Sequence, residues 1–262
     1  MSNVKTKPAK KLTKSTTDSL INYGIVIVLY IIMMIMQATG NLSSSMKGFL
    51  VPVCIYVIMA VSLNLVVGIL GELSLGHAGF MCVGAYTSAI FSKLTESTIT
   101  AAPLRFTLAI LVGAFFAAVF GILIGIPVLR LKGDYLAIVT LAFGEIIKNV
   151  VNIINFGVDS NGWHFSTKST MELGLEADGN VIIKGAQGIS GTPKDANFTV
   201  GVILVLLTLF IVQNLIKSRD GRAIMAIRDN RIAAESVGIN ITKYKLMVFT
   251  ISASLAGAAG AL

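Results

Sequence analysis

Long runs of apolar residues, separated by short polar stretches, occupy most of the chain. They cover residues 20–39, 49–70, 75–91, 105–129, 135–151, 199–216 and 246–262. A helix needs roughly 20 apolar residues to cross the hydrocarbon core of a bilayer, and each run meets or approaches that length. The pattern predicts seven transmembrane helices in an all-α, polytopic bundle. We expect one transmembrane domain over residues 20–262, with the seventh helix cut short where the sequence ends.

Basic residues are distributed unevenly among the segments that connect these runs. The basic tail, residues 1–19, precedes a long first run without an A-x-A-like cleavage site, which predicts a retained signal anchor and a cytoplasmic N-terminus. Counting spans from there places residues 130–134 and 217–245 inside, and residues 40–48, 92–104 and 152–198 outside. The inside segments carry Lys5, Lys7, Lys10, Lys11, Lys14, Arg130, Lys132, Lys217, Arg219, Arg222, Arg228, Arg231, Lys243 and Lys245. Fewer basic residues lie outside, in agreement with the enrichment of Lys and Arg in cytoplasmic loops.

The composition supports a membrane protein and argues against several other classes. The chain is 55% hydrophobic and 13% charged, with a mean hydropathy of +0.82. Its net charge of +8 does not indicate nucleic-acid binding, because the positive residues lie beside the apolar runs. Cys54 and Cys82 lie inside apolar runs without metal-ligand spacing, and no Gly is followed by Lys, so the sequence contains no phosphate-binding loop. We therefore predict no cofactor, no metal and no ATP hydrolysis in this chain.

Two of the apolar runs are interrupted by glycine and polar residues. In "GELSLGHAGFMCVGAY", residues 71–86, glycines weaken a helix while polar side chains would be costly in lipid. In "LKGDYLAIVTLAFGEIIKNV" a short run is entered through Gly133. Irregular backbone at membrane depth survives only where it is buried in protein or lines water, and short interrupted spans often mark a substrate path. The candidates for a translocation path are Glu72, Ser74, Gly76, His77, Gly79, Gly84, Tyr86, Asp134, Tyr135 and Glu145.

Each of these features also has a structural interpretation. Glu145 and Lys148 have the spacing of an i,i+3 ion pair near the outer interface. His77 is compatible with a hydrogen-bonded structural histidine, and Glu72 with a place at the inner interface. The glycines suit tight helix crossings as well as a path.

Small residues recur at every fourth position in two other runs. They are Gly113, Ala117, Gly121 and Gly125 in the fourth, and Ser252, Ala256 and Gly260 in the last. Membrane helices pack through small residues that let their backbones approach. We expect both rows to be helix-packing seams, and a role in lining a pore is the alternative.

The segment "SRDGRAIMAIRDNRIAAESVGINITKYKL", residues 218–246, is much longer than a connection between two helices requires. Apolar residues at helical spacing predict one amphipathic helix over residues 221–238, with Gly238 at its C-terminal cap. The apolar positions are Ile224, Ile227, Ala234 and Val237, and Arg231 and Glu235 have i,i+4 spacing for an ion pair. Alanine and glycine stand where a lipid anchor would carry large apolar residues, so a groove on a partner protein is the better predicted binding site.

The predicted outer segment, residues 152–198, has a turn-rich composition and is too polar to span a membrane. We expect an exposed loop with a short hairpin around "NVIIKG". A surface connector and a docking surface for an external partner both remain open.

At the 218–246 segment the sequence resembles the permeases of ATP-binding-cassette importers, whose coupling loop carries E-A-A, three residues and G. Ala233, Ala234 and Gly238 match that pattern, whereas Ile232 occupies the glutamate position. Three segments resemble the branched-chain amino-acid branch of this family, M-type subunit. They are "GELSLGHAGFMCVGAYTSAI", "LRLKGDYLAIVTLAFGEIIKNVV" and "GRAIMAIRDNRIAAESVGINITKYKLMVFTISASLAGAAGAL".

The resemblance implies a type II-like permease in a bacterial inner membrane, paired with a second permease subunit. Two cytoplasmic ATPase subunits would dock on residues 221–238, and an extracytoplasmic binding protein would deliver leucine, isoleucine or valine. The implied coupling residues are Gly221, Arg222, Arg228, Ala233, Ala234, Glu235 and Gly238. Family members usually continue beyond "AGAAGAL", so we expect a C-terminally truncated chain.

Other functions remain as alternatives to this expectation. The same importer class also handles urea, amides and other small polar solutes. An ion-coupled secondary transporter would use His77, Glu72 and Glu145 as a relay. A membrane enzyme is disfavoured because no nucleophile or metal-ligand motif is present in the sequence.

Overall fold

The computed structural model describes residues 14–96, 98–131, 133–159, 162–168, 173–174, 180–189, 191–193 and 195–262. Most of the predicted basic tail, with Lys5, Lys7, Lys10 and Lys11, lies outside the described residues, as do Lys132 and the side chain of Asp134.

Nine α-helices and three short strands make up the described part of the chain. The helices are α1 (Lys14–Ala38), α2 (Ser44–Asn64), α3 (His77–Leu94), α4 (Ala102–Val128), α5 (Asp134–Ile153), α6 (Phe198–Lys217), α7 (Arg219–Asp229), α8 (Arg231–Ser236) and α9 (Ile241–Ala261). The strands are β1 (Asn155–Asp159), β2 (Gly162–Ser166) and β3 (Asn180–Lys184). A π-helical segment, Leu65–Leu70, continues α2.

The chain divides into two compact units. The first ends at Lys47 and contains α1, whose apolar side chains Leu20, Ile25 and Leu29 are exposed, as expected of a helix that meets lipid. The second, Gly48–Leu262, contains the remaining helical bundle and the sheet.

Six helices of the described residues are long and apolar enough to cross a membrane, one fewer than predicted. They cover Ser19–Ala38, Ser44–Leu70, Ala102–Val128, Tyr135–Ile153, Phe198–Lys217 and Ile241–Ala261. The predicted run 75–91 forms the eighteen-residue helix α3 but is not among the six. His77, Ser88 and Lys93 make α3 more polar, and it packs against α4 and α9, which bury one side of it.

The predicted packing seams lie where α3, α4 and α9 cross. Ala117 and Ala256 are fully buried. A Cβ added to Gly84 would overlap the backbone of Gly257, and one added to Gly121 would lie 2.7 Å from the Cβ of Ala253. The small residues therefore allow close backbone approach, which confirms the helix-packing interpretation.

Strands from the segment between α5 and α6 form an antiparallel sheet in the order β2-β1-β3. At the predicted hairpin around "NVIIKG", the chain forms β3, a 3₁₀ turn at Gly185–Gln187 and a single bridge between Ile183 and Ile189. The main pairing partner of β3 is β1. The following loop is fixed to α4, because Arg105 Nη2 donates to Asp195 Oδ2 at 2.8 Å.

The predicted single helix over residues 221–238 is wrong: the segment forms α7 and α8, which are separated at Asn230. Asn230 has extended backbone, and its Oδ1 accepts a hydrogen bond from the Ala233 N–H, which starts a new helix. Ile224, Ile227 and Ala234 are buried within this chain, so they do not form the free apolar face that was predicted for a partner groove, whereas Val237 is exposed. Within the described chain Arg231 and Glu235 do not form the predicted ion pair.

Candidate functional site

The predicted break between the second and third apolar runs is present. The π-helical segment ends at Gly71, which has a positive φ of 79°, and residues 71–76 are not helical. The N–H groups of Gly71 and Glu72 both donate to the Val66 carbonyl, which closes the end of the π segment. A left-handed residue at a helix end favours glycine because it has no Cβ.

The glycines after the break allow close contact with α5. A Cβ on Gly76 would overlap the Thr140 carbonyl, and one on Gly79 would lie 3.1 Å from the Cα of Gly144. Leu75 N–H also donates to Thr140 Oγ1 at 3.1 Å. Among the two interpretations left open by the sequence, these contacts support tight helix crossing for Gly76 and Gly79.

His77 belongs to a buried hydrogen-bond network that joins three helices. Its Nε2 lies 2.8 Å from Ser62 Oγ in α2, and that hydroxyl also donates to the Met59 carbonyl. Since a hydroxyl has one proton, Nε2 carries the hydrogen and donates it to Ser62 Oγ. Ser252 Oγ of α9 donates to the Ser62 carbonyl at 2.5 Å. These contacts favour the structural role for His77.

Ser74 is the polar side chain of the break without a partner. It is 3% exposed, and its Oγ makes no hydrogen bond within the described part of the chain. An unsatisfied buried hydroxyl costs free energy, so Ser74 is the candidate in this stretch that has hydrogen-bonding capacity left for a ligand.

Glu72 forms an ion pair with Lys245, in the second turn of α9. The exposed fractions are 17% for the Glu72 side chain and 4% for Lys245, so the pair is largely removed from solvent. Breaking a buried pair leaves an uncompensated charge. Lys245 therefore holds the break against α9.

Arg228 of α7 contacts the same break. Its Nη1 donates to the Gly68 carbonyl in the π-helical segment at 3.0 Å, and its aliphatic chain crosses Gly71, where a Cβ would lie 2.6 Å from Arg228 Cγ. A cation at the end of a helix is favourable because it meets carbonyls without an intrahelical partner. Arg228 thus caps the end of α2 from another helix.

The remaining candidates for the translocation path lie at different distances from this break. Glu145 and Lys148 form the predicted i,i+3 pair at 3.2 Å, with both side chains exposed, beside a cavity of about 230 Å³ that Gly76 and Gly79 also line. Tyr135 is 72% exposed and points away from the core. Tyr86 lines a separate apolar cavity.

The predicted coupling residues lie on α7 and α8, except Gly238, which follows α8, and they have different roles. Ser218 Oγ caps α7 by accepting from the Gly221 N–H, and a Cβ on Gly221 would overlap the Leu215 carbonyl. Arg222 donates to the Lys217 carbonyl at 3.4 Å, and Gly238 has a φ of 86°. Ala234 packs with Ile227 and Ile241, which fixes α8 to α7 and α9, whereas Ala233 and Glu235 are exposed.

Sequence reasoning missed Ser62, Ser252, Gly68 and Lys245 as parts of this site. Only Lys245 gave a signal in the sequence: it stands beside the apolar run 246–262, and a charge at membrane depth requires a partner. Within the described residues, no group of three His, Cys, Asp or Glu side chains is placed to hold a metal ion.

Comparisons with known proteins agree with the resemblance. The family model described as branched-chain amino acid transport system / permease component matches residues 45–262. The high-affinity branched-chain amino acid transport system permease protein of Salmonella typhimurium is 38% identical over 79% of this chain and 49% of that protein, and the Escherichia coli K12 protein of the same name gives the same values. A nucleoside ABC transporter permease protein of Lactococcus lactis subsp. cremoris is 24% identical over 73% of this chain and 58% of that protein. The chain spans about half the length of the first two relatives, and no solved structure matches it significantly.

Proposed function

This polytopic membrane protein belongs to the family of branched-chain amino acid transport system permease components, and we propose that it is a transport subunit of an ATP-driven importer for leucine, isoleucine and valine. In this proposal it forms the translocation path with a second permease subunit, two ATP-binding-cassette subunits hydrolyse ATP, and an extracytoplasmic binding protein delivers the amino acid. The N-terminus, α7 and α8 lie on the cytoplasmic side of a bacterial inner membrane, which the distribution of Lys and Arg supports. This placement requires that α3 crosses the membrane in addition to the five long apolar helices that precede α7.

One observation supports ATPase docking on α7 and α8 most directly. Ile232 is 81% exposed and Val237 is 76% exposed, the highest values among the exposed large hydrophobic side chains of the described residues. Both belong to the polar segment between α6 and α9, outside the six candidate spans. Exposed apolar side chains on a helix that does not span the membrane favour a protein partner.

We place the translocation path beside the break at residues 71–76. Ser74 supplies a buried hydroxyl that has no partner among the described residues, while Gly76 lets the chain cross α5 closely. The Glu72–Lys245 pair and the His77 network support the walls of the break. Asp134, Tyr135 and Glu145 remain weaker candidates, since Tyr135 and Glu145 are exposed.

Carboxylates on the proposed docking surface test ATPase binding. In the native host, chromosomal Ile232→Asp and Val237→Asp should reduce both leucine uptake and recovery of the ATPase subunits with the purified permease, because a charge would be buried in the interface. Thr242→Asp is the matched control, since it introduces the same charge at an exposed position in the first turn of α9. Unchanged recovery of the ATPase subunits in both docking variants would refute the assignment.

The cargo and the energy source need separate measurements. Uptake of labelled leucine should be inhibited by isoleucine and valine but not by urea or a nucleoside, and it should persist when the proton gradient is dissipated while ATP is maintained. Inhibition by nucleosides would favour the substrate named for the Lactococcus relative. Loss of uptake with the proton gradient would favour an ion-coupled transporter.

A further inference from the structure

The sheet has one apolar and one polar face. The register pairs Phe156 with Phe165 and Val158 with Trp163, so these four side chains share one face, to which Ile183 is added by its pairing with Phe156. The neighbouring β2 residue His164 lies on the opposite face, where its Nε2 is 3.0 Å from Asp159 Oδ2. The alternation along β2 therefore separates aromatic from polar side chains.

The aromatic face of β2 is the exposed one. Trp163 is 73% exposed and Phe165 is 62% exposed, whereas His164 is only partly exposed. A strand on a water-soluble surface shows the reverse, with polar residues outward. The exposed face thus suits an apolar environment better than water.

The apolar face continues the lipid-facing surface of the helices. Phe156, Phe165 and Ile183 line one cavity of about 540 Å³ together with residues of α3, α4 and α5, and its lining is almost wholly apolar. Only Ile154 separates the end of α5 from the start of β1. Five residues of strand extend roughly 16 Å, so the whole of β1 lies within about 20 Å of the end of α5.

We propose that this sheet is a membrane-surface element whose Trp163 and Phe165 insert into the interfacial layer of the adjacent leaflet. Tryptophan is enriched at membrane–water interfaces because its ring is apolar while its N–H requires a polar partner. Lys184 pairs with Asn155 and therefore lies with His164 on the polar face of the sheet, away from the proposed membrane contact. This interaction surface does not depend on the cargo or on ATP-driven transport.

Trp163 is the single tryptophan of the chain, which makes the surface directly measurable. The full chain in nanodiscs of phosphatidylcholine and phosphatidylglycerol should show blue-shifted tryptophan emission. Phosphatidylcholine brominated near the carbonyl end of its acyl chains should quench this emission more strongly than lipid brominated near the terminal methyl. Aqueous iodide should have little effect.

Two variants move the tryptophan and control for position. Trp163→Phe combined with Phe165→Trp keeps the probe on the apolar face and should retain quenching by brominated lipid. Trp163→Phe combined with Ser166→Trp places it on the polar face, where iodide but not brominated lipid should quench it. Equal lipid quenching on both faces would overturn the proposal. So would iodide-sensitive emission from Trp163 that becomes protected only when the binding protein is added, because that result identifies a protein-docking face instead.

Discussion

The substitution Gly121→Ala tests whether the small residues of α4 and α9 are needed for helix packing. Gly121 of α4 faces α9, and an added Cβ would lie 2.7 Å from the Cβ of Ala253. Carbon atoms in favourable contact are about 3.5–4.0 Å apart, so the two helices would have to separate by about 1 Å. Ala253 is fully buried and its Cβ is fixed to the backbone, so no rotamer change can relieve the overlap.

The magnitude follows from two opposing terms. Overpacking of this kind costs about 1–3 kcal/mol, while alanine gains about 1 kcal/mol over glycine in a helix interior. The clash should dominate, because separating α4 from α9 also loosens neighbouring contacts such as Gly257 against Ala117. We expect Gly121→Ala to lower the free energy of unfolding by up to about 2 kcal/mol.

A reversible unfolding measurement in detergent micelles or bicelles, such as titration with sodium dodecyl sulfate, would supply that free energy. Gly48→Ala is the matched control, because Gly48 lies in α2 with nothing within 4 Å of an added Cβ, and this change should be neutral or stabilising. The double variant Gly121→Ala and Ala253→Gly returns one methyl group to the same gap, so it should recover the loss. Equal stability of Gly121→Ala and Gly48→Ala would refute the packing argument.

Two further predictions concern the polar contacts around the break. Arg228→Gln removes the charged cap on the Gly68 carbonyl, and it should lower leucine uptake more than it lowers ATPase association or ATP hydrolysis in the native complex. The control Lys243→Gln should change none of these three quantities. Equal uptake in the two variants would contradict the role of the cap. Glu72→Gln leaves Lys245 buried without its partner and should lower the free energy of unfolding by about 3–5 kcal/mol. Addition of Lys245→Met should restore most of that loss, and failure to do so would show that the pair is not the cause.

Features set by local residue patterns were predictable from the sequence. The small residues of α4 and α9 predicted a seam, and the glycine-rich stretch 71–86 predicted a weakened helix, because both effects depend on backbone geometry. The break at Asn230 was also local, since Asn is a strong N-cap residue. It was missed because the apolar spacing of Ile224, Ile227 and Ala234 fits one continuous helix as well as two short ones.

Contacts between distant residues were not predictable in the same way. Glu72 and Lys245 are separated by 173 positions, and Arg228 and Gly68 by 160. Periodicity indicates which face of a helix is buried, but not which residue of another helix it meets. The same limit explains why Trp163 drew no attention in a turn-rich loop, since its exposure depends on pairing with β1.

The conformation of the break depends on its neighbours more than on its own hydrogen bonds. Between residues 71 and 76 the backbone is fixed by Thr140 of α5, by Lys245 of α9 and by Arg228 of α7. One of these three contacts, that of Arg228, comes from the segment on which we propose that the ATPase docks. A displacement of α7 would therefore pull on the Gly68 carbonyl at the start of the break, whereas Thr140 would hold its other end near Leu75.

That arrangement predicts non-additive effects of Arg228→Gln and Thr140→Val on uptake in a double-mutant cycle, because both contacts stabilise one segment. Additive effects would mean that the two ends of the break move independently and that α7 does not act through it.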